Sequence, residues 1–255
     1  MTEPSELNST INFELVDGLI LIKASVDGTE GDFIFDTGAA NTLLNKKVVD
    51  GEFTLWTANG ELSSKELSLD NFEFGIINKR KIEAWAANLS YVENVIDRPL
   101  AGIIGSDIIE GYKVLIDYEN QKLVILSPKT KALDLLTDEY NITHLPFKND
   151  RGQMAVVELE VNGQDQQLIF DTGAAVSVFH SDNMKEHGIL NAKDISINQI
   201  KIQEMPFVHR SIKHLNQMSN HQLDGILSVS SLNTSKILID YNSSRIHLFW
   251  KKDKA

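Results

Sequence analysis

The apolar positions of this chain fall in short runs of strand length, and the runs come in two matching sets. Leu19 to Val26 and Met154 to Val161 are such runs, followed by Asp27-Gly28 and Asn162-Gly163 and then by a second run ending in Phe33-Ile34-Phe35 and Leu168-Ile169-Phe170. A two-residue turn of that composition accepts positive φ and joins antiparallel strands, so each set predicts a β-hairpin. Further on, Lys113-Val114-Leu115-Ile116-Asp117-Tyr118 returns as Lys236-Ile237-Leu238-Ile239-Asp240-Tyr241, again strand and turn. Between them, Leu100-Ala101-Gly102-Ile103-Ile104-Gly105-Ser106 pairs with Leu223-Asp224-Gly225-Ile226-Leu227-Ser228-Val229. The pattern predicts an all-β chain with short helices, built from one unit used twice.

The repeat defines the organisation. Phe33-Ile34-Phe35-Asp36-Thr37-Gly38-Ala39-Ala40 recurs 135 positions later as Leu168-Ile169-Phe170-Asp171-Thr172-Gly173-Ala174-Ala175. Two lobes follow, residues 10–128 and 141–250. Ser127-Pro128-Lys129-Thr130-Lys131 breaks the strand pattern between them, and Ala132 to Tyr140 reads as a short helical turn. From Asp36 to Asp117 is 81 positions, but from Asp171 to Asp240 only 69. Most of the surplus lies around Phe53 to Leu62, which reads as a hairpin with Asn59-Gly60 at its tip. The first lobe therefore carries a projecting hairpin and the second a shortened version.

Composition narrows the classes of function. A chain of 255 residues fits one large domain or two small ones. With 24 Lys and Arg against 36 Asp and Glu, a formal net charge of −12 repels a phosphate-rich partner, so nucleic acid is not expected. The absence of Cys excludes disulfides, thiolate metal sites and a cysteine nucleophile. No apolar run reaches the roughly 18 residues of a membrane span, and the first six residues include two acids, Glu3 and Glu6, where a signal peptide is basic. The expectation is a soluble protein with no membrane partner, cytoplasmic as written, or periplasmic or secreted if a signal peptide has been removed.

A single Asp-Thr-Gly at the end of an apolar strand is ordinarily a surface turn with an Asx-type hydrogen bond. Duplication changes its meaning, because two equivalent lobes bring two identical carboxylates to one pseudo-twofold axis. In contact there, the pair cannot ionise fully and holds one proton. The ionised partner can then take a proton from water while the other donates to the carbonyl under attack. That chemistry is amide hydrolysis without a covalent intermediate.

On these residues the chain resembles the retropepsin-like aspartic proteases and, more distantly, the bilobal pepsins. The family pattern is an apolar pair before Asp-Thr-Gly-Ala and a later apolar-apolar-Gly, met here by Phe33 to Ala39 and Ile103-Ile104-Gly105, with Ile104 to Ile109 similar to the short helix that follows. The resemblance implies a bilobal acid protease fold, two retropepsin-like β lobes in a pseudo-twofold arrangement within one monomeric chain, acting as an aspartic endopeptidase on peptide or protein substrates. It implies Asp36 and Asp171 as the catalytic pair and Thr37, Gly38, Thr172 and Gly173 as its support. Trp56, Ala58, Asn59 and Gly60 would be substrate-binding residues of a flap in the first lobe, with Trp56 read either as an aromatic lid over substrate or as an anchor of the hairpin root. No metal or other cofactor is implied. The chain departs from the pattern at Ser228, where the first lobe has Gly105, at Ala40 and Ala175, where viral members carry an acid, and in having one long flap. Ala39 and Ala174 stand where pepsin-like lobes carry Ser or Thr.

Other features read as structural. The seven His residues, 144, 180, 187, 209, 214, 221 and 247, show no metal-ligand spacing. Lys79-Arg80-Lys81 reads as a solvated turn, and Asp117 and Asp240 as turn residues. An actin-like Asp-x-Gly phosphate site would need helices alternating around a parallel sheet and glycine-rich loops, which this chain lacks. The competing function is a non-catalytic cleft that binds peptides, distinguished by whether the two inner carboxylate oxygens come within hydrogen-bond contact.

Overall fold

The structure, a computed structural model, describes residues 8–48, 51–57, 60–130, 139–150, 154–182, 189–192, 195–197, 200–202, 204–232 and 234–252. The protein is predominantly β, with three short α-helices among these residues. Each lobe opens with the expected hairpin, β3 (Leu19–Val26) with β4 (Thr29–Phe35) and β13 (Met154–Val161) with β14 (Gln164–Asp171). Asp27 and Gly28 at φ 50° and 79°, and Asn162 and Gly163 at 51° and 78°, form the two turns. These are backbone angles that Asn, Asp and Gly tolerate best.

Beside each hairpin runs a parallel strand, β9 (Gly102–Ile104) along β4 and β20 (Gly225–Ser228) along β14. The repeated glycine that opens each is required by close approach. A Cβ on Gly102 would lie 2.0 Å from the Leu43 carbonyl oxygen, and one on Gly225 would lie 2.0 Å from that of Val178. Those carbonyls belong to β5 (Leu43–Asn45) and β15 (Ser177–His180), which cross antiparallel to the same strands. The first lobe's sheet is completed by β2 (Glu14–Val16), β6 (Phe53–Thr57), β7 (Gly60–Phe74) and β8 (Ile77–Ala87). In the second lobe the corresponding strands are β16 (Ile189–Ala192), β17 (Ile195–Ile197), β18 (Ile200–Ile202) and β19 (Met205–Arg210).

The lobes are joined by a sheet that the repeat alone did not disclose. Six strands run in the order β1 (Asn8–Asn12), β11 (Lys122–Leu126), β10 (Lys113–Asp117), β21 (Lys236–Asp240), β22 (Arg245–Lys251) and β12 (Tyr140–Asp150), all antiparallel. At its centre Leu115 faces Leu238, with Lys113 opposite Asp240 and Asp117 opposite Lys236. The repeated Lys and Asp thus form two reciprocal ion pairs, Lys236 Nζ to Asp117 Oδ2 at 2.6 Å and Lys113 Nζ to Asp240 Oδ2 at 3.4 Å. Burial alone would raise the Asp117 carboxyl, but Lys236 and Asn120 outweigh it and hold it below the usual carboxylate range. Both aspartates also fix their own turns, accepting from the Asn120 and Asn242 amides at 3.0 Å each. They are turn residues, as expected, and cross-lobe anchors as well. Apolar packing is equally shared, since one buried cluster runs from Phe33, Phe72 and Phe74 through Ile116 and Ile237 to Phe170 and Phe207.

Lys79-Arg80-Lys81 is not a turn. It lies within β8, paired with β7, and Lys79 donates to the Asp107 carbonyl oxygen. The reversal between β7 and β8 occurs earlier, at Gly75 (φ 60°), while Lys81 (φ 51°) only interrupts the register within β8, between Arg80 and Ile82. The proposed helical turn from Ala132 lies outside the described residues except for its end, where Tyr140 opens β12. No helix among the described residues is long and apolar enough to cross a membrane.

Candidate active site

Each Asp-Thr-Gly begins where a buried Phe-Ile-Phe or Leu-Ile-Phe strand ends, so the chain must turn while its side chains are still inside the protein. The turns meet face to face. Thr37 N–H donates to Thr172 Oγ1 at 3.0 Å and Thr172 N–H to Thr37 Oγ1 at 3.1 Å. Each hydroxyl in turn donates across the lobes, Thr37 Oγ1 to the Phe170 carbonyl and Thr172 Oγ1 to the Phe35 carbonyl, both at 2.8 Å. Each hydroxyl thus both donates and accepts across the axis, and both side chains are buried, with Thr37 0% and Thr172 2% exposed. The two threonines are therefore fixed relative to each other, and the preceding aspartates with them.

Glycine follows because no side chain fits. A Cβ on Gly38 would lie 2.4 Å from Asp171 Cγ, and one on Gly173 would lie 2.2 Å from Asp36 Cγ. Each carboxyl group packs against the opposite lobe's glycine, so the two face each other across the axis, near enough that each shifts the other's ionisation. Gly38 N–H and Ala39 N–H donate to Asp36 Oδ1 at 2.8 and 3.0 Å, while Gly173 N–H donates to Asp171 Oδ1 at 2.7 Å. Burial raises both carboxyls. For Asp36 the hydrogen bonds from Asp171, Gly38 and Ala39 oppose that rise. For Asp171 the charge of Asp36 and the bond to it add to burial and carry the group well above the usual carboxylate range. Two carboxyls so placed resist ionising together, and the charge of Asp36 raises Asp171 the further of the two.

Ser228 fits beneath the second turn without cost to the hydrogen bonding. It is wholly buried, its Oγ donates to the Ala174 carbonyl at 2.7 Å, and its N–H donates to Ser177 Oγ at 3.0 Å. In the first lobe the corresponding bonds run from Ser106 Oγ to the Ala39 carbonyl at 3.0 Å and from Gly105 N–H to Thr42 Oγ1 at 3.2 Å. Thr42 is itself held by Asp107, whose carboxylate accepts from its N–H at 3.0 Å and its Oγ1 at 2.8 Å.

The pair lies in a cleft of about 590 Å³ between the lobes, lined by residues of both copies. Strand β6 and the start of β7 form the expected hairpin over it, contributing Leu55, Thr57 and Leu62 to the lining. Of the proposed flap residues, Gly60 opens β7 opposite Thr57 at φ 119°. Trp56 pairs with Glu61 within β6, but its side chain lies outside the described residues, as do Ala58 and Asn59.

Two helices flanking the cleft were not anticipated. They are α1 (Ser90–Ile96) and α3 (Lys213–Met218), and they bring Tyr91, Val92 and Val95 from one side and Leu215 and Met218 from the other. Burial and the nearby Asp36 charge raise the Tyr91 phenol, which keeps its proton and remains a donor. The signal for these helices is present in the repeat, since Ser90 to Leu100 aligns with Lys213 to Leu223 without a gap, immediately before the recognised Gly-Ile-Ile and Gly-Ile-Leu segments. Among the described residues no cluster of three or more His, Asp or Glu is placed to hold a metal ion. No family model matches the chain, and no curated protein shows significant similarity to it.

Proposed function

We propose that this chain is a single-chain aspartic endopeptidase of the retropepsin-like kind, with Asp36 and Asp171 as its catalytic residues. The observation that carries the proposal is the meeting of two half-buried carboxyl groups, one from each lobe, each packed against the other's Asp-Thr-Gly turn and lining one cleft. A water bound between them loses a proton to Asp36 as its oxygen attacks the peptide carbonyl carbon. Asp171 delivers its proton to the carbonyl oxygen, giving a neutral tetrahedral gem-diol. Asp36, now protonated, passes that proton to the amide nitrogen while Asp171 recovers one from a gem-diol hydroxyl. The carbon–nitrogen bond breaks, and the pair returns to its starting state.

The rigid threonine contacts hold this geometry before substrate arrives, so little reorganisation is needed at the moment of reaction. Apolar residues dominate the cleft wall, with Leu19, Ile34 and Val92 in one lobe facing Leu215, Met218 and Ile226 in the other. Peptides with apolar side chains on both sides of the scissile bond suit such a wall, because each buried methylene contributes about 0.8 kcal/mol. The test is cleavage of a peptide library by the native chain and by Asp36→Asn. Cleavage lost in the variant supports hydrolysis by the pair. A peptide bound but never cut by the native chain identifies a binding cleft instead.

A further inference from the structure

Helices α1 and α3 correspond at an offset of 123 residues, the same offset that relates Gly102 to Gly225 and Asp117 to Asp240. Val92 and Leu215 are mates under this relation, as are Val95 and Met218, and all four line the cleft. Tyr91 and His214 are also mates, yet they are placed differently. Tyr91 lines the cleft and is 40% exposed. His214 instead reaches across to the other lobe, where its Nε2–H donates to the Thr57 carbonyl oxygen at 2.7 Å.

That carbonyl occupies a sensitive position. Thr57 and Gly60 are the closing pair of the β6–β7 hairpin, and Thr57 Oγ1 also donates to the Gly60 carbonyl at 3.0 Å. The end of a two-stranded ribbon has little intrinsic stability in water, so an anchor there governs how often it lifts. The base that presents His214 is well fixed. Asn216 exchanges two hydrogen bonds with the Leu223 backbone at 2.9 and 2.7 Å. Buried Asp150 accepts from Ser219 Oγ at 2.5 Å and from Asn220 N and Nδ2 at 2.9 and 3.1 Å. The connection from β15 to β16 has eight residues against fourteen between β5 and β7, so the two lobes differ in the length of chain at this place.

We propose that His214 is a positioning residue that clasps the first lobe's hairpin over the cleft through this cross-lobe bond, so that breaking the bond favours the admission of substrate. The clasp itself does not depend on the peptidase reading; its kinetic consequence does. Opening by way of His214 makes the cleft directional, with a hinged roof belonging to the first lobe and a clasp belonging to the second.

Hydrogen exchange of the intact chain, followed by mass spectrometry over residues 53–64, tests the clasp without any substrate. His214→Ala is expected to speed exchange there about tenfold while leaving β10 and β21 unchanged. His214→Gln, which retains an N–H donor of similar reach, is expected to restore exchange to within about threefold of the native rate, and Tyr91→Phe to leave it unaltered. Equal hairpin exchange in the native chain and His214→Ala would overturn the proposal, as would a rise that Gln does not reverse. On any peptide that the native chain cleaves, His214→Ala should raise KM with little change in kcat. Faster exchange in His214→Ala with no peptide cleaved by the native chain would leave the clasp standing and remove the peptidase reading. Cleavage with unaltered hairpin exchange would do the reverse.

Discussion

The two lobes agree closely where they touch each other and diverge where they face the cleft or solvent. At the axis the residues match in identity and geometry: Thr37 with Thr172, Gly38 with Gly173, and the Lys113–Asp240 pair with Lys236–Asp117. Away from it, one lobe has Gly105 where the other has a buried Ser228, and one has Tyr91 in the cleft where the other has His214 on the hairpin. The difference shows what constrains each position. A residue on the axis packs against its own counterpart, so a change in one lobe must be accommodated by the other. A residue off the axis meets unrelated neighbours and is free to specialise. Even the identical aspartates differ in surroundings, since burial raises both but the neighbouring charge adds to the rise only for Asp171.

The largest effect is expected from breaking a matched contact. Thr37→Val removes a hydroxyl that both donates to the Phe170 carbonyl and accepts from Thr172 N–H, leaving two buried polar groups without that partner. A loss of about 3 kcal/mol is expected on the usual cost of such groups. Thr172→Val should cost about the same, and the double variant clearly less than their sum because the two side chains form one network. Urea denaturation of the three variants measures this. Strict additivity would mean that the cross-lobe contacts do not act as a unit.

An exchange of the unmatched pair should give a smaller and unequal result. A Cβ on Gly105 would lie 2.6 Å from the Asn41 carbonyl carbon and 2.7 Å from its oxygen, so Gly105→Ser forces the backbone apart, at about 2 kcal/mol. Ser228→Gly removes the hydroxyl donated to Ala174, for about 1 kcal/mol. Thermal unfolding of both variants tests the ordering. Equal costs would show that the two turns have the same space beneath them.

The smallest expected effect is on pH dependence. Activity requires one proton on the pair, so kcat/KM should follow a bell, with limits that belong to the pair and not to either residue. Burial raises both carboxyls, and Ala39 and Ala174 supply no hydroxyl to stabilise the ionised form. The active range should therefore lie in weakly acidic solution. Replacing both alanines with Ser adds a donor to the ionised carboxylate, lowers its pKa and moves the acidic limb to lower pH. Superimposable acidic limbs on one peptide would refute this account of the alanines.

Much of this architecture was legible in the sequence because it is local or repeated. The Asp-Gly and Asn-Gly turns, the strands that deliver Asp36 and Asp171, and the helix α2 (Ser106–Ile109) are each encoded within a few residues. The joining sheet was not, because β10 and β21 look like ordinary hairpin strands and nothing local tells a strand which distant partner it will meet. Only the repeated Lys and Asp, four residues apart in each copy, carry a trace of the crossed pairing. Lys79-Arg80-Lys81 misled for a related reason, since charge density suggested a turn while pairing with β7 determined a strand. His214 could not be assigned from spacing, because its role depends on a hairpin more than 150 positions away.

The central claim is that two carboxyl groups, one from each lobe, share a proton and cut a peptide together. It is tested most directly by the turnover of Asp36→Asn and Asp171→Asn beside the native chain, on one peptide taken from a cleavage library. Each amide keeps the shape of the carboxyl but cannot exchange the shared proton, so each single variant should lose at least about 1000-fold in kcat while remaining folded. A folded variant of either kind that still turned over at near the native rate would contradict the account.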